Sequence, residues 1–600
     1  MGGGKDPFGL ETSGAHMKKH PSSSATNPRV SVSSTTTLAN KTGSWKYIRP
    51  VYRDKVAPCN ATCPVGIDIE GYINLLREGN TEAAMDLLLQ ENPLPAITGR
   101  VCDHPCETAC NRRPFDEAVA VHALERMLGD RILGGDPPKP AKKKVKARVA
   151  VIGSGPAGLA CAYHAARMGY GVTVFEAEAE LGGMLRLGIP EFRLPRSVLD
   201  RQIEWLGELG IEFKANTRIG TDLPWNELDG FDAVFTAPGA HRGKPVEIEN
   251  VQEGDVRSGL EFLKDVNRGE RPDLGRNVIV IGGGNTAIDC ARASIRLGAE
   301  PVIVYRRTEL EMPAIQAEIE EAKQEGVRFR FLAAPHAVHH ESEKLVRLTC
   351  KTMKLGEPDE SGRRRPIPTT GLDFDLPADT ILTAVGEDSE LDFVSEELEV
   401  DGALIPVSYF GQTKTANHFA GGDVVDQPRT VAHALGSGKR AAIGIDRFIR
   451  ARNNEDLPST NGDTARFATG NVSAAAWLTT DPVKRTDPQN RIVQFEEINL
   501  RHFTHRTRND DQQLDIGKSV LGFDEINRGL RVTDAMDEAR RCFNCGVCNE
   551  CDLCLLLCPD MAISRRPEGR FDIDMQYCKG CGICAVECPR GAIEMTREGL

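Results

Sequence analysis

Ten of the chain's eighteen cysteines fall between Cys542 and Cys588, and eight of those ten form two runs of one design. The first reads Cys548-x2-Cys551-x2-Cys554-x3-Cys558-Pro559 and the second Cys578-x2-Cys581-x2-Cys584-x3-Cys588-Pro589. Structural zinc pairs two CxxC knuckles across a longer gap, and disulfide frameworks belong to oxidising compartments. Neither accounts for two tandem four-cysteine runs, each closed by Cys-Pro.

Both runs match the ligand spacing of paired [4Fe-4S] clusters, in which the fourth cysteine of one run serves the other cluster. One cube is expected on Cys548, Cys551, Cys554 and Cys588, and the other on Cys578, Cys581, Cys584 and Cys558. Cys542 and Cys545 are left over.

A chain of 600 residues that is 40% hydrophobic can bury several cores, and ordinary domain sizes divide it into about four units. The net charge of −13 argues against a nucleic-acid or anionic-membrane surface, yet it is too diffuse to name a partner. No apolar run approaches the ~18 residues of a membrane span, and no secretory signal pattern begins the chain. Cluster-spaced thiols need a reducing compartment, so a cytoplasmic location is expected. Residues 1–16 read as tag sequence, with His16-Met17 as a cloning junction and Met17 as the native start. The Ser/Thr-rich stretch 22–42 reads as disordered, and the basic stretch 139–148 as a solvated linker.

A dinucleotide fingerprint begins at Arg148. An apolar strand runs into Gly153-x-Gly155-Pro156-Ala157-Gly158, an alanine-rich helix follows, and a second strand, 172–175, ends at Glu176. The first glycine makes the tight turn, the second lets backbone N–H groups approach a pyrophosphate, and the third lets helix pack on strand. Glu176 stands where a carboxylate accepts hydrogen bonds from ribose hydroxyls.

A second copy starts at Val278 and carries Gly282-x-Gly284-Asn285-Thr286, a helix through Arg296 and a strand to Tyr305. Two dinucleotides are therefore expected on one chain. Here Arg306 and Arg307 replace the terminal acid, which favours the 2′-phosphate of NADPH over the free ribose of NADH. Further on, the run ending Ala384-Val385-Gly386 and the run Phe419 to Asp423, with Gly422 before the acid, resemble the closing FAD motifs of two-dinucleotide flavoproteins. In such proteins the NAD(P) domain is inserted in the FAD domain. Cys161, Cys290 and Cys350 form no CxxC beside the second site, which disfavours a dithiol mechanism.

Five more cysteines precede these motifs: Cys59-x3-Cys63-Pro64 and Cys102-x3-Cys106-x3-Cys110. With Gly99-Arg100-Val101-Cys102, the string Gly188 to Pro195, and Tyr305-Arg306-Arg307-x4-Met312-Pro313, they make residues 50–450 resemble the glutamate synthase small subunit and the amino-terminal half of dihydropyrimidine dehydrogenase. The resemblance implies a multidomain α/β fold. A tag and disordered stretch (1–45) and a helical iron–sulfur domain (46–145) come first. An FAD domain (146–240 and 371–455) then encloses an NAD(P)H domain (241–370). A linker (456–530) and an α+β ferredoxin domain (531–600) follow.

It also implies two amino-terminal clusters, the first opening with an Arg-Cys-x-x-Cys motif that is missing ahead of Cys59. Arg541-Cys542-Phe543-Asn544-Cys545 reproduces that motif nearly five hundred residues later. The implied ligand sets are Cys59, Cys110, Cys542 and Cys545 for one cluster, and Cys63, Cys102, Cys106 and Glu125 for the other. Gly183, Met184 and Leu185 join the flavin site, and Arg193 is expected between flavin and cluster, as the residue that shapes their electrostatics.

The implied activity is electron transfer between NAD(P)H and a protein acceptor through FAD and four [4Fe-4S] clusters. The acceptor would dock at the ferredoxin domain. Relatives with such an appended domain include the DsrL-type oxidoreductases that serve dissimilatory sulfite reductase and the BzdV-type proteins of anaerobic benzoate degradation. The resemblance also admits a homodimer. A glutamate synthase small subunit and a non-catalytic electron-wiring subunit are the rival readings.

Overall fold

A computed structural model of the protein describes residues 47–135, 147–342, 344–359, 362–395, 398–457, 472–478, 491–567 and 569–597. The expected tag, the Ser/Thr-rich stretch and most of the basic stretch lie outside these residues. The described residues form two compact units: a larger one within Arg53–Asn549 with Pro589–Ala592, and a smaller one that joins residues 47–52 to Glu550–Cys588 and residues 593–597.

In the larger unit the amino-terminal domain is helical. Ile69, Tyr72, Ile73 and Leu76, at helical spacing, bury one face of Ile69–Arg77, and Asp68 caps that helix by accepting from Gly71 N at 3.0 Å. Gly79 at φ 79° ends the run, and Asn80 caps the next helix, Thr81–Leu89. Helix Pro95–Val101 lies directly on Val121–Gly134. A Cβ on Gly99 would stand 2.4 Å from Arg126 N, and one on Gly129 2.2 Å from Ala96 N. This core is continuous with that of the FAD domain.

The FAD domain is a five-stranded parallel sheet in the order His418–Ala420, Ala233–Thr236, Arg148–Ile152, Gly171–Phe175, Glu212–Lys214. Strands buried on both faces explain the unbroken apolar runs of the fingerprint. The inserted domain has its own parallel sheet, Arg328–Phe331, Glu300–Tyr305, Asn277–Ile281, Thr380–Thr383, Val256–Ser258, beside a four-stranded antiparallel sheet.

The expected return to the FAD domain at residue 371 is corrected by this topology. Phe374–Pro377 pairs with Lys344–Pro358, and Thr380–Thr383 is an inner strand of the NAD(P) sheet, with Leu382 buried under helices on one face and Ile381 against the antiparallel sheet on the other. The chain crosses back at Glu387–Asp388, which pairs antiparallel with the outgoing Arg242–Gly243.

The described parts of the expected linker are not a tether. Val493 N donates to Val56 O at 3.1 Å, Ile526 N to Phe192 O at 3.0 Å, and Arg126 Nη1 donates to Asn527 O at 2.8 Å. Residues 531–549, expected to open the ferredoxin domain, also pack in the larger unit, where Ala535 and Ala539 join its main core.

The smaller unit carries most of the two cysteine runs. Ile563–Arg565 pairs antiparallel with Phe571–Ile573, and short helices Leu553–Leu557 and Ile583–Glu587 follow left-handed residues at equivalent places, Asp552 at φ 64° and Gly582 at φ 80°. Ile48–Tyr52, expected with the helical domain, instead pairs antiparallel with Ile593–Arg597 here, because alternating strands at the two chain ends satisfy each other's backbone groups.

Candidate redox site

Strand Arg148–Ile152 delivers Gly153 into a left-handed turn at φ 96°, and helix Pro156–Arg167 starts with Pro156 at its first turn. A Cβ on Gly158 would lie 1.9 Å from Gly153 O, whereas one on Gly155 would meet nothing within 4 Å. The loop is thus closed where helix meets strand and open where a pyrophosphate would approach the positive end of the helix. Glu176 is buried. Its Oε2 accepts from Ser154 N and Oγ, and its Oε1 from Glu178 N at 2.9 Å.

Ser154 Oγ also accepts from Gly182 N at 2.9 Å, which brings Gly183, Met184 and the fully buried Leu185 to the same turn. Gly183, at φ 52°, has room for no side chain, since its Cβ would sit 2.9 Å from Gly155 Cα. From the carboxy-terminal side, Gly422 N donates to Ser437 Oγ at 2.9 Å, and a Cβ on Gly422 would touch Ala157 Cβ at 3.1 Å. Burial raises the neighbouring Asp423 carboxyl, and Arg429 opposes the rise. Three separate stretches therefore converge on one glycine-lined opening that fits FAD.

The second loop repeats this design. Gly282 has φ 149°, and a Cβ there would stand 2.2 Å from Ala384 O, while Gly284 faces open space ahead of helix Asn285–Arg296. Asn285 Oδ1 accepts from Ile315 N at 2.9 Å, and the Thr286 side chain bonds the Glu387 carboxyl. Gly386 O accepts from Lys244 N at 2.9 Å. Ala384 and Gly386, expected at FAD, lie instead beside the NAD(P) loop, because their strand belongs to that sheet. The two expected phosphate arginines differ: Arg306 is exposed, whereas Arg307 is buried, pairs with Asp359 at 2.6 Å and donates to Arg364 O at 2.7 Å.

Arg193 is held by the inserted domain. Its guanidinium pairs with Asp289 at 2.8 Å and with Glu318 at 2.8 Å, all three largely buried. Arg292 joins Glu318, Glu321 and Glu325 in the same network, and Arg296 stacks 3.9 Å over Phe192. This position ties the FAD domain to the cofactor helix of the NAD(P) domain.

The amino-terminal thiols fall into two buried groups. Burial pushes up the Cys59 thiol, with Cys542, Cys110 and Cys545 adding to the rise, and Cys59 packs against the small core that contains Cys545. Cys542 is pushed up to about 12 by burial, with Glu70 and Cys110 adding to the rise. In the other group Cys106 is raised by burial and then by Cys63, Glu107 and Cys102, and Cys102 by burial and Glu125. Glu125 is itself raised to about 7 by burial, against hydrogen bonds from Thr98 and Asn92. The Asn92 bond measures 2.8 Å and, like that from Thr98, lands on Oε1. Among the described residues no three ligands converge tightly enough for a single metal ion. A cube binds each thiolate at a different iron and suits such wider sets.

In the smaller unit Cys558 and Cys581 both bear on Cys578, and Cys581, Cys578 and Cys554 bear on Cys584, so Cys558 crosses to the second run. Cys554 is buried, Cys551 exposed and Cys588 half-buried; Cys548, in the larger unit, is also half-buried. Tyr52 Oη lies 3.1 Å from Cys554 Sγ, and Arg49 Nη1 donates to Cys578 O at 2.6 Å.

Several residues here carry no sequence signal. Glu70 faces Cys59, Cys542 and Cys545, yet it reads as one charge on an amphipathic helix. His122 bridges Glu107 at 2.8 Å and Asp511 at 2.7 Å, and Arg508 pairs with Glu107 at 2.8 Å. Burial would lower His122, but the two carboxylates outweigh it and raise it to about 10. A raised histidine stabilises fully below its unfolded value near 6.5 and loses that contribution as pH climbs through about 10. The melting temperature should therefore fall between pH 7 and 10, and His122→Gln should flatten that fall.

Three family models match the chain: Pyridine nucleotide-disulphide oxidoreductase over residues 147–438, Dihydropyrimidine dehydrogenase domain II, 4Fe-4S cluster, over 52–134, and 4Fe-4S binding domain over 571–594. The NADPH-Fe(3+) oxidoreductase subunit beta of Geobacter sulfurreducens is 36% identical over 82% of this chain and 75% of its own length. The NADP(+)-dependent formate dehydrogenase subunit beta of Moorella thermoacetica is 36% identical over 82% and 70%. The glutamate synthase [NADPH] small chain of Escherichia coli is 36% identical over 65% and 88%. No helix among the described residues is long and apolar enough to cross a membrane. With two dinucleotide loops on paired sheets, a helical domain of buried thiols, and relatives matched across most of their length, the chain belongs to the glutamate synthase small-chain-like family of iron–sulfur flavoprotein oxidoreductases.

Proposed function

We propose that this protein passes electrons between NADPH and a protein acceptor, with the first glycine loop holding FAD, the second NADPH, and the two tandem cysteine runs a pair of [4Fe-4S] clusters. The observation that carries this reading is helix Val431–Arg452, which is shared by the flavin opening and an amino-terminal thiol group. Its Gly438 lies against Ala157 of the first loop's helix, where a Cβ would be 2.1 Å from Ala157 O. Its Gly436 lies against the loop after Cys63, where a Cβ would be 2.2 Å from Pro64 O. Lys439, fully buried, donates to Val65 O and pairs with Glu91 at 2.6 Å.

Bound FAD supplies exchange between a two-electron hydride and the single electrons that iron–sulfur clusters carry. The chain's own part is positional. Glycines admit the two pyrophosphates, the helix N-termini stabilise their charge, and the Arg193–Asp289–Glu318 cluster fixes one dinucleotide domain against the other. Cys63, Cys102, Cys106 and Glu125 are assigned to a cluster beside the shared helix. Arg193 acts on electron transfer by setting the approach of the domains, a positioning role.

Arg306 is assigned to the 2′-phosphate of NADPH. A charge-assisted hydrogen bond of this kind is worth about 1.5–3 kcal/mol, so Arg306→Ala should raise KM for NADPH about 10- to 100-fold and leave that for NADH nearly unchanged. Equal effects on both cofactors would exclude the assignment. Two relatives are named as β subunits, which supports a place in a larger redox complex. The acceptor would be a low-potential partner such as a dissimilatory sulfite reductase. Anaerobic purification followed by NADPH-driven reduction of a dye tests the core reading, and a flavin- and iron-loaded protein that reduces nothing would refute it.

A further inference from the structure

We propose that Cys59, Cys110, Cys542 and Cys545 together hold one iron–sulfur cluster, so that a cofactor of the amino-terminal domain is completed from the carboxy-terminal end of the chain. Each thiol would give up one proton and bind one iron of the cube. The electrons stored on it come from the NADPH oxidation proposed above, but the site itself stands on packing alone.

The first support is convergence. Cys59 and Cys110 are separated from Cys542 by more than four hundred residues, yet Cys59 packs against the small core that holds Cys545, and the neighbour of Cys110, Asn111, reaches the Cys545 sulfur. Buried thiols of no further use are normally scattered and inert, as Cys161, Cys290 and Cys350 are here. Four cysteines gathered from distant parts of the chain match in number the ligands of one cube.

The second support is that the stretch presenting Cys542 and Cys545 is fastened on every side. Arg112 donates to Arg541 O, Arg590 to Phe543 O and Arg77 to Asn544 Oδ1, so three guanidiniums clamp three of the four residues 541–544. The ring of Phe543 is buried between Phe503, centroid to centroid 4.3 Å, and Phe115 at 5.6 Å, with the Arg112 guanidinium 5.1 Å above it. Asn111, next to Cys110, directs Nδ2 to within 3.7 Å of Cys545 Sγ. Ala57, Val493, Ile498, Phe543 and Cys545 form a small core of their own, so three distant parts of the chain build the pocket in which the thiols stand.

The geometry also orders the centres. Cys545 and Cys548 are separated by two residues, at most about 11 Å of extended chain between their Cα atoms. A cluster held by Cys545 therefore has a short covalent path to one held by Cys548.

The test compares anaerobically purified full-length wild type with the Cys542→Ala/Cys545→Ala double variant, reading iron, acid-labile sulfide and FAD per chain and the EPR spectrum after dithionite reduction. One cluster's worth, about four irons and four sulfides, should be lost while FAD is retained, and Cys350→Ala should lose none. Wild-type iron and sulfide in the double variant would overturn the proposal. If the double variant is recovered without FAD, Cys545→Ser decides. An altered EPR signal for one cluster supports the site, and a spectrum identical to wild type overturns it. Failure of this site leaves NADPH-driven dye reduction by the wild type untouched, so the two readings fall separately.

Discussion

Arg541→Ala should release the segment that carries Cys542 and Cys545, destabilising the larger unit by about 3–5 kcal/mol, the usual cost of stranding a buried charge. Arg541 is 1% exposed, and all five of its N–H donors are used. Nε donates to Arg506 O at 3.2 Å, Nη1 to Ala118 O at 3.2 Å and Glu538 Oε1 at 2.6 Å, and Nη2 to Asp116 Oδ1 at 3.1 Å and Glu117 O at 2.8 Å. The guanidinium is thus the pin between helix Val532–Ala539 and the loop that follows Cys110. Its removal leaves Glu538, completely buried, with only backbone and amide donors: Ala120 N at 2.8 Å, Asn509 N at 2.9 Å and Asn509 Nδ2 at 3.1 Å. Arg541→Lys should be intermediate, since an ammonium can keep the Glu538 pair but cannot span the carbonyl fork. Urea midpoints followed by cluster absorbance would measure both. An alanine variant with the wild-type midpoint would show that the segment is not held here.

Gly158→Ala should yield a chain almost free of flavin. The added methyl would be placed 1.9 Å from Gly153 O and 3.3 Å from Val151 Cγ1, and no rotamer can relieve a clash between a Cβ and a backbone oxygen. Either helix Pro156–Arg167 must lift from strand Arg148–Ile152, or the Gly153 turn must open. Both displace the N–H groups meant for the pyrophosphate, and overpacking of this kind costs about 1–3 kcal/mol or more. FAD absorbance per chain should drop at least about tenfold, a loss of roughly 1.4 kcal/mol or more in binding. Gly155→Ala is the control, because its Cβ meets nothing within 4 Å and any loss there reflects exclusion of ligand, not a broken loop. Iron content should survive in both variants, since the thiol groups sit in other parts of the fold. Full flavin occupancy in Gly158→Ala would contradict the close packing.

The glycine fingerprints were legible because their chemistry is local. A tight turn, a close helix approach and an open phosphate face each need a glycine at a fixed offset, and Gly153, Gly158, Gly282 and Gly284 occupy those roles in the fold. The cysteine runs were legible for the same reason. Asp552 and Gly582 take matching left-handed conformations thirty residues apart because each run must bend in the same way around its thiols.

Other features depended on which distant surfaces meet. Nothing near Arg307 distinguishes it from Arg306, yet Asp359 and the Arg364 carbonyl turn it inward and leave Arg306 exposed. Arg193 lies in a string that reads as flavin-side, but Asp289 and Glu318 of the inserted domain decide what it touches. Strand Thr380–Thr383 read as the return to the FAD domain, and only pairing shows that it lies inside the NAD(P) sheet.

The sequence by itself determined two dinucleotide loops, a ferredoxin pair of cysteine runs, and a surplus of two cysteines at one end beside a deficit at the other. Spacing along the chain specifies turns and ligand sets, because these involve neighbours a few residues apart. Only the tertiary structure decided that the stretch with the surplus cysteines packs against the domain with the deficit. Bringing Cys542 and Cys545 to Cys59 and Cys110 depends on burying Arg541 and Phe543 against a loop four hundred residues away, and that burial energy exists only in the folded chain.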